Sequence, residues 1–104
     1  MSDGNKIRKR YIAFEVYAER EINRREMDYA IQQFLERLPE EMVKRPLLTV
    51  FKDNKGIVLC AHLEKEKTIE MLQSIDAVGK ERIEVEVRTL GTSGTIKGAK
   101  KYLI

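Results

Sequence analysis

The chain has few of the residues that build disulfides, metal sites or membrane spans. Its 104 residues include one cysteine and one histidine, and only 7% are aromatic. A single cysteine excludes an intramolecular disulfide and is compatible with a reducing compartment, so we expect the cytoplasm. The apolar runs are only a few residues long, and the N-terminus lacks the apolar core of a secretory signal. We therefore expect no contact with a membrane.

The usual catalytic and nucleotide-binding patterns are also missing. Cys60 and His62 would lie on the same face of a strand and could form a nucleophile–base pair or half of a metal site. No second cysteine or histidine completes such a site, so a core cysteine and a structural histidine are the better interpretation. No GxxxxGK[ST] loop is present. We predict no catalytic residue, and no metal or cofactor bound by this chain.

What the sequence does contain is charge, unevenly distributed. Charged residues make up 36% and hydrophobic residues 42% of the chain, which suits one small domain with a real core. Residues 1–10 carry four basic and one acidic side chain, and residues 91–104 carry three lysines and no acid. The 80 residues between them carry 13 basic and 16 acidic side chains. Both ends are therefore basic, and the middle is mildly acidic.

Four segments have the pattern of strands, and two have the 3.6-residue apolar period of helices. The predicted order is a strand over 10–17, a helix from Asn23 to Pro39, strands over 46–51 and 56–63, a helix over 66–78 that ends at Gly79, and a strand over 82–88. Asn23 and Glu26 have the spacing of a capping box. The composition of residues 52–56 favours a hairpin turn.

The order β-α-β-β-α-β predicts an α/β (α+β) sandwich of the ferredoxin-like type. Right-handed crossovers give a four-stranded antiparallel sheet in the order 4-1-3-2, with two helices on one face and the other face open. We expect a single domain over 10–104 that ends in a short helix or tail, and a flexible basic N-terminus over 1–9. Because the first and last strands are antiparallel neighbours, the two basic ends should converge into one anion-attracting patch.

The segment from Gly91 to Lys101 combines three glycines, three hydroxyl side chains and three lysines. Glycines allow close approach, and hydroxyls, amides and lysines suit phosphate groups. The alternative is a turn followed by a frayed helix, and the sequence leaves open whether Ser93–Thr95 contacts RNA or only shapes that turn. The predicted RNA-binding residues are Lys6, Arg8, Lys9, Arg10, Ser93, Gly94, Thr95, Lys97, Lys100 and Lys101.

The open face of the predicted sheet holds Tyr11, Ala13 and Tyr17 together with acidic side chains. Acidic groups repel phosphates, and the third strand lacks the aromatic residues with which RNA recognition modules of this topology stack bases. We therefore predict that this face binds a protein partner and that RNA contacts fall on the edge and the tail.

Several of these segments together resemble the archaeal ribonuclease P protein component 2 family. The strand from Arg10 to Val16, the strand from Gly56 to Cys60, the Val78-Gly79 pair and the Ser93–Lys97 element occur in the family's order. The resemblance implies a small non-catalytic subunit of ribonuclease P, which removes the 5′ leader of precursor tRNA. It implies that the RNA subunit performs the Mg²⁺-dependent hydrolysis. The implied partners are ribonuclease P RNA and ribonuclease P protein component 3, with precursor tRNA contacted indirectly.

Two alternatives of other classes stay open at this point. An acylphosphatase-like enzyme of the same fold would need an arginine-bearing phosphate loop after the first strand. The segment Tyr17–Glu21 has an arginine but no glycine. A small-molecule-binding regulatory domain would be stabilised by its ligand and would have no affinity for RNA.

Overall fold

The computed structural model describes residues 8–37 and 45–104. The predictions for Lys6, for residues 1–7 of the N-terminus and for the helix end at Leu38–Pro39 therefore lie outside the described residues. Within them the chain forms a mixed α/β fold of five strands, three α-helices and two 3₁₀ turns. The elements are β1 (Lys9–Ala18), α1 (Arg24–Glu36), β2 (Leu47–Lys52), β3 (Lys55–Ala61), α2 (Lys65–Ser74), β4 (Ala77–Val78), β5 (Ile83–Ser93) and α3 (Ile96–Lys100), with 3₁₀ turns at His62–Glu64 and Lys101–Leu103.

The sheet is antiparallel, and its strands lie in the order β2-β3-β1-β5-β4. The prediction of four strands in the order 4-1-3-2 is wrong in strand count, because α2 ends at Ser74 instead of Val78. Ile75 adopts an extended conformation, and the next residues pair with the start of β5 as the edge strand β4. Gly79 (φ +84°) then belongs to the β4–β5 turn, where only glycine adopts such a φ without strain.

Helices α1 and α2 bury their apolar sides against one face of the sheet. The predicted capping box at the start of α1 is confirmed, since the Asn23 side chain accepts from the Glu26 N–H and the Glu26 carboxylate accepts from the Asn23 N–H. The stacked rings of Phe14 and Phe51 lie in this core, with centroids 6.1 Å apart. The largest fully buried members of this core are Phe14, Ile12, Ile22, Met27, Ile31, Met71, Leu72, Val58 and Val78.

The second face of the sheet is covered in its middle by α3 and the residues that follow it. Ala13, Ile57 and Ala99 are fully buried there and form a small second core. The prediction of an open face is therefore wrong for this region, and Ala13 cannot contact a partner in this fold. The reason is the length of β5, which continues to Ser93 before the chain turns back over the sheet. Tyr17, beyond the covered region, is 44% exposed.

The β2–β3 hairpin and the β1–α1 loop are locked together at one end of the sheet. Asp53 and Asn54 have φ of 54° and 61°, as a two-residue type I′ turn requires. The Asn54 side chain accepts from the Ile22 N–H at 2.7 Å and donates to the Arg20 carbonyl at 3.2 Å. Arg20 in turn pairs with Glu26 at 2.8 Å. This rigid end lies opposite the one that gathers the basic residues.

Candidate nucleic-acid interface

The start of β1 and the ends of β3 and β5 meet at one end of the sheet. Lys9 is opposite Ala61 of β3, and Tyr11 is opposite Ser93 of β5. The Arg10 guanidinium lies beside Gly94, with Nη1 3.7 Å from the position that a Cβ would take there. The predicted convergence of the N-terminal strand with the C-terminal segment is confirmed by this register.

We call this region the basic end, defined by Arg8, Lys9, Arg10, Lys65 and Lys97. Arg8 and Lys9 are exposed at the start of β1, and Lys97 is exposed in the first turn of α3. Lys9 is already part of β1, and the Arg8 carbonyl accepts a hydrogen bond from the His62 N–H at 2.6 Å. Both residues are thus held by the sheet, although the sequence assigned them to the flexible N-terminus.

Lys65 and His62 also lie in this region, although neither was predicted to do so from the sequence. Both follow β3, the strand next to β1, and the 3₁₀ turn at His62–Glu64 directs them towards the start of β1. The prediction that His62 lies on a strand with Cys60 is wrong, because β3 ends at Ala61. The available signal was positional: the end of β3 must lie beside the start of its antiparallel neighbour.

The electrostatics of His62 report the positive potential of the basic end. The guanidinium of Arg10 is the main cause that lowers the pKa of His62, and burial, Arg8 and Lys65 act in the same direction. Lys65 has an acidic neighbour, with its Nζ 3.7 Å from a Glu66 carboxylate oxygen. Like charges at close range disfavour the imidazolium, so the ring is held neutral near pH 7.

Cys60 is buried, in contrast to the half-buried His62. Its side chain lies in the main core with 3% of the residue exposed, and burial raises the pKa of its thiol. A buried thiol of raised pKa is a poor nucleophile. In the part of the chain that the structure describes, no group of three or more histidine, cysteine, aspartate or glutamate residues lies together as metal ligands would.

The hydroxyl groups of the C-terminal segment bond within the segment itself. Thr95 is the N-cap of α3, and its Oγ1 accepts from the Gly98 N–H at 3.0 Å. Ser93 Oγ accepts from the Thr95 N–H at 3.2 Å. An added Cβ at Gly98 would overlap Ser93 Oγ. These contacts account for the Ser-Gly-Thr spacing as a turn that starts α3 and sets the position of Lys97.

Beyond this turn the segment runs away from the basic end. The Tyr102 ring lies on Gly91 of β5, and the Leu103 carbonyl accepts from Lys55 Nζ at 3.3 Å, at the hairpin end of β3. Lys97 follows the turn directly. Lys100 and Lys101 are exposed as well, three and four residues further along the same short helical segment, and so lie on the same side of it as Lys97.

A groove of about 1030 Å³ lies along α1, between that helix and the connection from α2 to β5. Its lining includes the aromatic residues Tyr29 and Phe34 and the basic residues Arg25, Arg37 and Arg82. Tyr29 is 62% exposed. Two of the three acidic residues of the lining, Glu26 and Glu81, are paired with Arg20 at 2.8 and 3.2 Å, and the third is Asp76. The groove is therefore a concave, partly apolar surface whose lining carries both basic and acidic side chains.

The same ion pairs bear on the phosphate-loop alternative. Arg20 is the one arginine of the Tyr17–Glu21 segment, and it binds Glu26 through both terminal nitrogens. A guanidinium engaged by two carboxylates is not available as an anion cradle.

Among the described residues, no helix is long and apolar enough to cross a bilayer.

Comparison with known proteins adds the family. The model of the Rpp14/Pop5 family matches residues 10–104. The chain is 39% identical to "Ribonuclease P protein component 2" of Archaeoglobus fulgidus over 99 residues, which cover 92% of this chain and 89% of that protein. It is 32% identical to the protein of the same name from Methanosarcina barkeri and 28% identical to that from Methanosarcina mazei, with 92% of this chain and 73% and 84% of those proteins covered. With the family model matching residues 10–104 and relatives covered to this extent, the chain belongs to the Rpp14/Pop5 family of ribonuclease P protein subunits.

Proposed function

We propose that this subunit binds ribonuclease P RNA through the basic end. The observation that carries the proposal is the convergence of five cationic side chains from three separate elements onto one end of the sheet. Such a cluster attracts the phosphate backbone and holds it without reading sequence. The proposed role is to neutralise backbone phosphates and so stabilise the RNA fold that cleaves the 5′ leader of precursor tRNA.

In this proposal the protein contributes charge and shape, and the RNA subunit contributes the Mg²⁺-dependent hydrolysis. Arg10 is well placed for the first of these, because its guanidinium lies between the start of β1 and Gly94. Lys9, Lys65 and Lys97 would contact phosphates as point charges. Ser93 and Thr95 position α3 through their internal hydrogen bonds, and Gly94 leaves room for a close approach of the RNA backbone.

Lys100 and Lys101 extend the proposed RNA surface beyond Lys97. They lie one helical turn further along the same segment, which continues over the second face of the sheet, so they would engage RNA that passes from the basic end across that face. Because they lie further from the converging strands, their contribution should be smaller than that of Lys97, and mainly visible at low salt.

The proposed protein partner is ribonuclease P protein component 3, and the groove beside α1 is the surface that suits it best. The groove is concave and carries the exposed ring of Tyr29, whereas the middle of the predicted partner face is covered by α3. Aromatic and arginine side chains in such a surface are typical anchors of protein interfaces. None of the groove's lining residues belongs to the basic end, so RNA and protein could bind together.

A matched pair of double variants tests the RNA surface. Lys9→Ala with Lys97→Ala removes two charges from the basic end, and Lys52→Ala with Lys80→Ala removes two exposed charges elsewhere. The measurement is the salt dependence of binding to a transcript of the cognate ribonuclease P RNA. The first variant should flatten the slope of log K against log salt by roughly 1.4 to 1.8, and the second should leave it nearly unchanged. Equal slopes for both variants would show that the basic end is not the RNA surface.

A tyrosine pair tests the partner surface. Tyr29→Ala changes the groove, and Tyr17→Ala changes the exposed remainder of the second sheet face. Removal of a buried aromatic anchor lowers affinity by about 2 kcal/mol or more. Binding of component 3 to each variant, measured by calorimetry, should weaken for Tyr29→Ala only. Weakening for Tyr17→Ala only would return the interface to the sheet face.

A further inference from the structure

His62 lies among three of the cationic residues of the basic end, Arg8, Arg10 and Lys65. Its backbone N–H, which any residue could supply, forms the 2.6 Å bond to Arg8 that ties the turn to β1. The imidazole Nδ1 is buried, and among the described residues it has no hydrogen-bond partner. A buried polar atom without a partner is unusual in a native fold, and it often marks a functional position.

The charged groups that face His62 come from every element packed around it. Arg10 belongs to β1 and Arg8 directly precedes it, and Lys65 belongs to α2. Of the nearby acids, Glu66 is paired with Lys65 and Glu64 is buried in the same turn as His62. The free protein therefore presents a half-buried neutral ring inside a set of positive charges.

A bound phosphate reverses this balance. Each phosphate carries a negative charge that offsets a neighbouring guanidinium or ammonium group, so the repulsion that disfavours the imidazolium decreases. The phosphate can also accept a hydrogen bond from the imidazolium at the exposed part of the half-buried ring, since the Nδ1 atom without a partner is itself buried. A proton taken up by the ring would then add one more positive charge to the binding surface.

We propose that His62 is an RNA-contacting residue that takes up a proton when phosphate groups occupy the cluster of Arg8, Arg10 and Lys65, so that RNA binding is coupled to proton uptake. This inference rests on the proposed RNA surface. By linkage, each unit by which the RNA raises the pKa of the ring makes binding about tenfold tighter at a pH below both values than at a pH above both.

Two measurements test the coupling. His62 is the only histidine of the chain, so the imidazole Cε1–H signal in a proton NMR titration needs no assignment. A short single-stranded RNA should raise the pKa that this signal reports. Inorganic phosphate should raise it to a smaller extent. The affinity for the ribonuclease P RNA transcript is then compared at about pH 8 and about pH 5.5, on either side of the ordinary histidine pKa.

Three variants give the controls. For a one-unit shift the wild type should bind more tightly at the lower pH by up to about tenfold, the full factor applying where that pH lies below the pKa of the free ring. His62→Gln should lose most of that difference, and His62→Arg should bind tightly at both pH values. A wild type whose pH response equals that of His62→Gln, or an NMR titration that RNA does not move, overturns the coupling. The outcome is separate from the proposed RNA surface, because Lys9→Ala with Lys97→Ala must weaken binding at both pH values if that surface is correct.

Discussion

The contact between Gly91 and Tyr102 decides whether the C-terminal segment stays on the sheet. Gly91 lies in β5, and a Cβ added to it would overlap three carbons of the Tyr102 ring. Its backbone is not in the left-handed region, so the strand itself tolerates alanine. Gly91→Ala therefore perturbs one thing, the seat of the ring, and should lift Tyr102 and loosen the lysine-bearing segment.

The magnitude follows from the area of the ring. Tyr102 is 45% exposed, so about half of its surface, on the order of 100 Å², is covered by the sheet. At about 25 cal/mol per Å², exposing this area to water weakens docking of the segment by about 2.5 kcal/mol. Alanine in place of glycine stabilises the folded strand by roughly 0.5–1 kcal/mol, because glycine loses more conformational freedom on folding. The net loss of about 2 kcal/mol corresponds to about a thirtyfold change in the docked-to-undocked ratio.

Hydrogen exchange and a double-mutant cycle provide the assay. The Ala99 N–H, which bonds to the Thr95 carbonyl at 3.1 Å, reports on α3 and should exchange faster in Gly91→Ala. Tyr102→Ala should have a similar effect, and the double variant should be little worse than either single one, because both changes remove the same contact. Fully additive effects, or unchanged protection of Ala99 in Gly91→Ala, would refute the reasoning.

Four further predictions concern stability. Gly56→Ala places a Cβ 2.7–2.8 Å from a backbone oxygen and two buried aromatic rings, so it should destabilise the fold by about 1–3 kcal/mol and lower Tm by roughly 5–15 °C. Gly94→Ala adds a Cβ that only reaches ordinary contact with Arg10 Nη1, at 3.7 Å, so its free energy of unfolding, measured by urea and thermal denaturation, should stay within about 0.5 kcal/mol of the wild type. Thr95→Ala should weaken docking of α3 by about 1 kcal/mol through loss of the N-cap, and Thr95→Ser should retain it, as read from exchange of the α3 amides. Arg20 lowers the pKa of Glu26 from 4.5 to about 2. This pair therefore stabilises the fold fully above the ordinary carboxyl pKa and less as the pH falls towards 2. Glu26→Gln should reduce the fall in Tm over that pH range, and an unchanged dependence of Tm on acid pH would contradict the assignment.

Local sequence signals predicted the elements whose boundaries are set locally. The start of α1 depends on Asn23 and Glu26, three residues apart, and the capping box forms as predicted. The predicted end of α2 was wrong. Ile75 and Val78 continue the helical spacing of apolar residues, and they are buried in the structure although they lie beyond the helix. What ends the helix is a pairing with β5, a distant strand. That pairing leaves no mark in the apolar period.

The candidate site shows the same division. The convergence of Arg10 with the C-terminal segment follows from antiparallel neighbours, and it could be predicted from strand order alone. Lys65 and His62 were missed because a 3₁₀ turn, not the strand, places them beside β1. The assignment of Ala13 to a partner surface was wrong because α3 folds back over the sheet. Glycines that suggested close approach of RNA serve in part a close approach within the chain, with Tyr102 on Gly91.

Because the basic end is assembled from three strands and the start of α3, RNA binding and folding must be separated in any experiment on it. A domain of this size has a stability of at least about 5 kcal/mol. A variant that loses about 2 kcal/mol then still has less than about 1% of its molecules unfolded. A fall in RNA affinity of several-fold in Gly91→Ala would therefore exceed what unfolding can cause by a wide margin. Such a fall would have to come from the loosened segment, and would show that the docked position of Lys97 contributes to binding.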